Sequence, residues 1–312
     1  MTMKNQHNMS RRYFLQLMGL GASGLIVPQY TQAGTDSLIT KSIPSSNEQI
    51  PVIGLGSSRT FNVGNDQLAL DNVTEVMRHF FKAGGQLIDS SPMYGSSQSA
   101  IGYALKKLVK TKNVFSADKV WIGDSEQGSE QMQTSREYWN LDSFDLMQVH
   151  NLVAWQAHLK ILFRMKQQGK IRYVGITTSH GRRHDELAGI MKTQSLDFVQ
   201  FSYNILDREA EQILLPLAKQ RGIAVIINRP FQRGDLIHAL KNKPLPEWSN
   251  TIGCKTWPQF LLKFVASHPA VTCVIPATSQ VAHVKENMQA CYSPLPDQAM
   301  RRRMIDYVEK II

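Results

Sequence analysis

The sequence predicts a closed (β/α)8 TIM barrel, one domain preceded by a signal peptide, and three observations carry that prediction. Beyond residue 33 the chain alternates short apolar runs with longer amphipathic ones, eight times in about 280 residues. A hydrophobic share of 42% in 312 residues is ordinary for a globular domain of that size. The alternative, an open doubly wound sheet, calls for G-x-G-x-x-G after its first strand. Here Gly54-Leu55-Gly56-Ser57-Ser58-Arg59 supplies the first two glycines only.

The expected strands are the apolar runs Val52–Gly54, Leu87–Asp89, Val114–Ser116 continuing to Val120, Leu146–Val149, Tyr173–Ile176, Phe198–Phe201, Ala224–Ile227 and Cys273–Ile275. Between them the period changes. From Leu68 to Ala83, apolar residues recur at Leu70, Val73, Val76, Met77 and Phe80, a helical spacing of three and four. Ala154 to Gln168 repeats this with Leu159, Leu162, Phe163 and Met165, and Ile213 to Gln220 and Gln259 to Ala266 follow suit.

The first 33 residues read as an address. Arg11 and Arg12 follow Ser10 and precede Tyr13-Phe14-Leu15, the pattern of a twin-arginine export signal. A weakly apolar run from Leu17 to Val27 and a small-x-Ala cleavage site at Thr31-Gln32-Ala33 come next in the expected order. Residues 1–33 are therefore expected to be a signal peptide read by the twin-arginine machinery, and 34–312 a periplasmic or otherwise exported barrel. That route carries folded proteins, often with a cofactor already loaded.

No run reaches the roughly 18 apolar residues of a membrane span. Cys254, Cys273 and Cys291 are too few and too odd in number for a disulfide framework, and their spacing matches no zinc motif. The net charge of +10 is scattered along the chain instead of gathered into a basic tract, so nucleic acid is not an expected partner. A basic surface suits an anionic small molecule equally well.

In such a barrel the chemistry lies at the carboxyl ends of the strands. Asp89, Lys119 and His150 close consecutive strands there, and Tyr94 stands on the Pro/Gly/Ser-rich turn after Asp89. An ammonium beside a phenol favours the phenolate and lowers its pKa, and a carboxylate keeps that ammonium charged. With a histidine N–H aimed at a substrate oxygen, the four residues combine a proton donor with an oxyanion-stabilising donor. Carbonyl reduction needs both. Taken singly, Asp89 and Lys119 could be a rim salt bridge and His150 an inert histidine.

The stretches VIGLGSSRTF, IDSSPMYGSS, ADKVW, FDLMQVHN, GKIRYVGIT, VQFSYN, GIAVIINRPF and VIPATSQVAHVKEN, in that order, resemble the aldo-keto reductase family from about Ile50 to Asn287. The resemblance implies Tyr94 as general acid, Lys119 lowering its pKa, Asp89 holding the lysine and His150 orienting the carbonyl. It also implies a nicotinamide dinucleotide across the rim: NADPH, with NADH possible.

By the same resemblance, Gln200, Thr177 and Thr178 hold the carboxamide, although the threonines replace a usual Ser-Asn pair. Asn228 replaces a tyrosine that commonly stacks on the nicotinamide, with Arg229 nearby. Pro230, Phe231 and Gly234 pass the pyrophosphate, and Glu286 and Asn287 meet the adenine end. Ala277 and His283 stand where NADPH users carry cations, leaving Thr278 and Ser279 (with Gln280) to offer hydrogen bonds without charge. Met93, Trp121, Asn151, Leu152 and Phe231 face the substrate. Ser58 replaces a frequent tryptophan, and Trp155 and Trp248 are lid or core. A monomer is implied.

Two rival readings compete. His180-x-x-x-His184 with Asp185 could ligate a metal if helical. Alternatively, the fold and cofactor could be kept in a regulatory or redox-sensing module with little turnover, which the changes at Thr177, Thr178 and Asn228 would allow.

Overall fold

The computed structural model describes residues 37–109 and 114–312; the expected signal peptide lies outside the described residues. The first elements, β1 (Thr40–Ser42) and β2 (Gln49–Pro51), pair as an antiparallel hairpin that the apolar pattern did not announce. Then come β3 (Leu55–Gly56), β4 (Leu87–Asp89), β5 (Phe115–Val120), β6 (Phe144–His150), β7 (Ile171–Thr177), β8 (Phe198–Ser202), β9 (Ala224–Asn228) and β10 (Cys273–Val274). Each of these pairs in parallel with its successor. Parallel bridges Ile53–Val274 and Gly56–Ala277 join the two ends, closing the eight strands into a barrel.

Seven of the eight expected strands overlap observed ones, most with slightly different ends, while the expected Val52–Gly54 shares no residue with β3. The first differs most: Val52 and Gly54 hydrogen-bond Val274 across the closure, and the regular ladder with β4 begins only at Leu55.

The helices are α1 (Gln67–Lys82), α2 (Ser97–Leu108), α3 (Gly128–Trp139), α4 (Trp155–Gln167), α5 (His184–Thr193), α6 (Leu214–Arg221), α7 (Asp235–Leu240), α8 (Trp257–Ala266), α9 (Val281–Met288) and α10 (Gln298–Ile311). Local chemistry sets their limits. The Asp66 carboxylate accepts the Ala69 N–H at 2.8 Å and starts α1, whose Val73, Val76, Met77 and Phe80 form one buried stripe. Gly222, at φ 64°, ends α6 in the left-handed region where glycine costs least.

Two apolar layers result. One lies between strands and helices. The other fills the barrel: Leu87, Phe115, Leu146, Tyr173, Phe198 and Ile226 meet Ile43 and Ile50 of the hairpin. Leu87, Phe115 and Phe198 open their strands, and Leu146 and Tyr173 lie in the first half of theirs, so the hairpin plugs the amino-terminal end. The opposite end is left for polar side chains.

Candidate active site

Alternation along β5 decides which side chains reach the barrel axis. Phe115 and Ala117 belong to the interior layer, so Lys119 also points inward while Asp118 points toward the helices. The same count of two from Leu87, Leu146 and Phe198 brings Asp89, Gln148 and Gln200 to the next level up. On β7 that level holds Gly175, where a Cβ would come 3.1 Å from Gln148 Cγ and 3.0 Å from Phe198 O. The missing side chain is what lets Gln148 fit beside the β8 backbone.

Lys119 Nζ donates to Asp89 Oδ2 and to Ser90 O, both at 2.6 Å, with Lys119 0% and Asp89 2% exposed. Gln200 Nε2 and Gln148 Nε2 donate to Asp89 Oδ1 at 2.8 and 3.3 Å. The carboxylate is therefore held on both oxygens. Burial pushes the Lys119 ammonium's pKa down, but Asp89, with the Tyr94 phenol and Asp118, outweighs it and the net shift is up.

Tyr94 ends a 3₁₀ turn, Pro92–Tyr94, capped by Ser91, whose Oγ accepts the Met93 N–H. Gly95 follows at φ 60°, where a Cβ would run into the Asn62 side chain. Ser97 Oγ donates to Tyr94 O at 2.8 Å and anchors the turn. The Tyr94 ring meets His150 edge-on, centroids 5.7 Å apart at 89°, and Lys119 Nζ lies 5.1 Å from its centroid.

The expected net lowering of the Tyr94 pKa is corrected here. Burial raises it more than Lys119 lowers it, and Asp89 adds to the rise. The phenol stays protonated at neutral pH, as a proton donor must. His150 is pushed well below its ordinary value by burial and then by Lys119, so its ring is neutral.

Asp118, facing outward, accepts from Gln98 Nε2 at 2.8 Å and from the Lys119 N–H at 2.7 Å; burial raises its pKa from 3.8 to about 7. The unfolded chain ionises this carboxyl near the ordinary value. Between those two pKa values the folded protein binds more protons, and its stability falls as pH rises. Asp118→Asn removes the effect. Its melting temperature should gain on wild type by a few degrees on going from about pH 4 to about pH 8.

A cavity of about 1020 Å³ opens above this layer. Asp89, Tyr94, His150, Thr177, Gln200, Asn228, Arg229, Pro230, Phe231, Gly234, Ala277, Thr278, His283, Glu286 and Asn287 all line it, as do Met93, Asn151 and Ser58. Five of the expected site residues lie elsewhere. Lys119 is sealed beneath the floor, held by Asp89. Thr178 is buried, its carbonyl accepting from Asn228 Nδ2 at 3.0 Å. Ser279 turns its carbonyl to Asn72 Nδ2. Leu152, 2% exposed, packs into the core because left-handed backbone at Asn151 and Leu152 turns the chain there. Trp121, 39% exposed, stands off the wall with its ring 6.4 Å from His150.

Trp155 and Trp248 pack against the core. His180 and His184 do not share a helical face: His180 lies in the preceding turn bonded to Ser179 Oγ, and His184 opens α5 facing Glu209. Gln148, which donates to Asp89, and Ser91, which lies against His150 Nδ1 and accepts the Tyr94 N–H, were missed. Their one sequence signal was position, two residues from His150 and from Asp89.

The wall is cationic. Arg59, Arg229, Arg233, Lys241, Lys243 and Lys255 line the cavity against one carboxylate, Glu286, besides the neutralised Asp89. Among the described residues Arg229 Nη1 is buried without a hydrogen-bond partner, and burial and then Arg233 lower its pKa. A guanidinium so placed fits the pyrophosphate of a dinucleotide. Gln200 already spends its amide internally, giving Nε2 to Asp89 and receiving Thr177 Oγ1 and Asn228 Nδ2, both at 3.3 Å, on Oε1.

Residues 52–305 match the model of the Aldo/keto reductase family. The chain belongs to the aldo/keto reductase family. Among its aldo/keto reductase relatives is the NADH-specific methylglyoxal reductase of Escherichia coli K12, 27% identical over 239 residues, spanning 66% of this chain and 70% of that protein. Similar solved structures include the holo form of aldo-keto reductase AKR11C1 from Bacillus halodurans, with a TM-score of 0.72 and 22% identity over 87% of this chain and 96% of that one. Another is the Klebsiella pneumoniae aldo/keto reductase in complex with NADP and acetate, with a TM-score of 0.71 and 21% identity over 84% and 93%. As an aldo/keto reductase the chain is an oxidoreductase.

Proposed function

We propose that the protein reduces a small aldehyde or ketone to the alcohol, with Tyr94 as proton donor and NADPH preferred over NADH. The observation that carries this reading is the meeting of Tyr94 and His150 on one cavity wall above a buried Lys119–Asp89 pair. A reduced dinucleotide held along the cavity by Arg229 and the segment from Pro230 to Gly234 would supply hydride to the carbonyl carbon. Tyr94 donates its phenolic proton to the carbonyl oxygen, and Lys119 stabilises the phenolate left behind. Neutral His150 orients the oxygen with an N–H. Arg229 and the backbone from Pro230 to Gly234 hold the pyrophosphate. Wall cations at Lys241, Lys243 and Lys255 favour the more highly charged dinucleotide where Ala277 and His283 supply no fixed charge.

The site of action is proposed to be outside the cytoplasm. The support is the order of Arg11-Arg12, the apolar run and Thr31-Gln32-Ala33. Cell fractionation with an Arg11→Lys/Arg12→Lys chain tests it, and wild-type protein confined to the cytoplasm would overturn it.

The reductase reading is tested with the full chain by titrating NADPH and NADH through tryptophan fluorescence and assaying a panel of aldehydes and quinones. Turnover supports it; tight binding without turnover on any carbonyl favours the regulatory-module reading. In the same titration Arg229→Leu should weaken both dinucleotides about tenfold, as expected for losing a charge-assisted contact. Unchanged affinity would remove Arg229 from the pyrophosphate site.

A further inference from the structure

Ser91 is fully buried between the end of β4 and the turn that carries Tyr94. Its Oγ accepts the Met93 N–H at 3.1 Å and lies 2.7 Å from His150 Nδ1. Among the described residues Ser91 Oγ makes no other hydrogen bond, so its own hydrogen has one acceptor in reach, the Nδ1 lone pair. The other ring nitrogen, Nε2, has no protein partner among the described residues, and His150 lines the cavity.

We propose that Ser91 is a positioning residue: its O–H donates to His150 Nδ1, holds the imidazole as the Nε2–H tautomer, and aims that N–H at the substrate oxygen beside the Tyr94 hydroxyl. The hydrogen bond on one nitrogen of a neutral histidine decides which nitrogen carries the proton. Burial and Lys119 keep this ring neutral, so the choice of tautomer is a real one. Only one of the two tautomers gives the carbonyl a donor. The opposite arrangement, Nδ1–H donating to Oγ, would leave the buried Ser91 hydrogen without an acceptor, a cost the observed bond avoids.

The geometry also couples the two catalytic partners. Ser91 Oγ caps the 3₁₀ turn and Ser91 O accepts the Tyr94 N–H at 3.0 Å, so the residue that orients His150 also fixes the backbone of the phenol facing it edge-on. The catalytic meaning of the tautomer rests on the carbonyl-reductase reading; the tautomer itself does not.

The test begins with the wild-type full chain, free of dinucleotide, at neutral pH. Long-range ¹H–¹⁵N correlation spectra should show His150 as the Nε2–H tautomer. Ser91→Ala should disperse that signature into a tautomer mixture. It should lower kcat about 10- to 100-fold, part of the gain a well-placed acid–base group provides, while NADPH affinity holds within about twofold. Ser91→Thr, which keeps the hydroxyl, should restore the Nε2–H form and most of kcat. A wild-type ring protonated on Nδ1 overturns the proposal, and so does Ser91→Ala with unchanged tautomer and kcat. Should Ser91→Ala fail to fold, the wild-type spectrum decides alone. A wild type inert toward every carbonyl, yet carrying the Nε2–H form that Ser91→Ala disperses, supports the hydrogen bond and counts against the reductase reading.

Discussion

Tyr94→Phe should bind NADPH as wild type does and turn over carbonyl substrates about 10²- to 10⁴-fold more slowly, the range a positioned proton donor contributes. The variant removes one oxygen and keeps the ring. The edge-on contact with His150 and the capped turn at Ser91 both survive, because neither uses the hydroxyl. Its melting temperature should stay within a few degrees of wild type. Because burial raises the Tyr94 pKa, the phenol is protonated throughout the neutral range, and wild-type reduction should show no loss assignable to Tyr94 until well above neutral pH. Single-turnover rates with and without the hydroxyl make the check, and equal rates would remove Tyr94 from the chemistry.

Lys119→Met should cost both activity and stability. It strips from a carboxylate that is 2% exposed the one cation paired with it among the described residues, leaving Asp89 with two glutamine donors. Breaking a buried pair from one side costs about 3–5 kcal/mol, a fall of the order of 10 °C in melting temperature for a domain this size. Adding Asp89→Asn to Lys119→Met should return much of that stability, because the stranded charge is gone, and none of the activity, because the phenolate has lost its cation. Thermal unfolding and turnover of the two single variants and the double complete a cycle. A double variant no more stable than Lys119→Met would show that packing, not charge, dominates the site.

The barrel was legible because its signal is local and repeated. The alternation of two periods survives in any one stretch, and Leu87–Asp89 or Leu70 to Phe80 carries it without reference to the rest of the chain. The hairpin Thr40–Pro51 was not legible, since two three-residue strands lack a period to read. Of the site, Asp89, Lys119 and His150 could be found by counting strand ends. Leu152 could not be ruled out, because its burial follows from left-handed backbone at Asn151 and Leu152 that no composition signals.

The order of elements, the three residues Asp89, Lys119 and His150 at the strand ends and Tyr94 on the turn after the first of them are written in the sequence itself, because hydrophobic period and strand-end position are properties of short windows. Closure through Ile53 and Gly56, the inward turn of Lys119 against the outward turn of Asp118, and the hydroxyl of Ser91 on His150 belong to the tertiary structure. They join residues up to 221 positions apart or depend on which face of the sheet is core. The direction of the Tyr94 pKa was decided there too: the sequence places a lysine near a phenol, but only the folded chain sets how much water is taken from both.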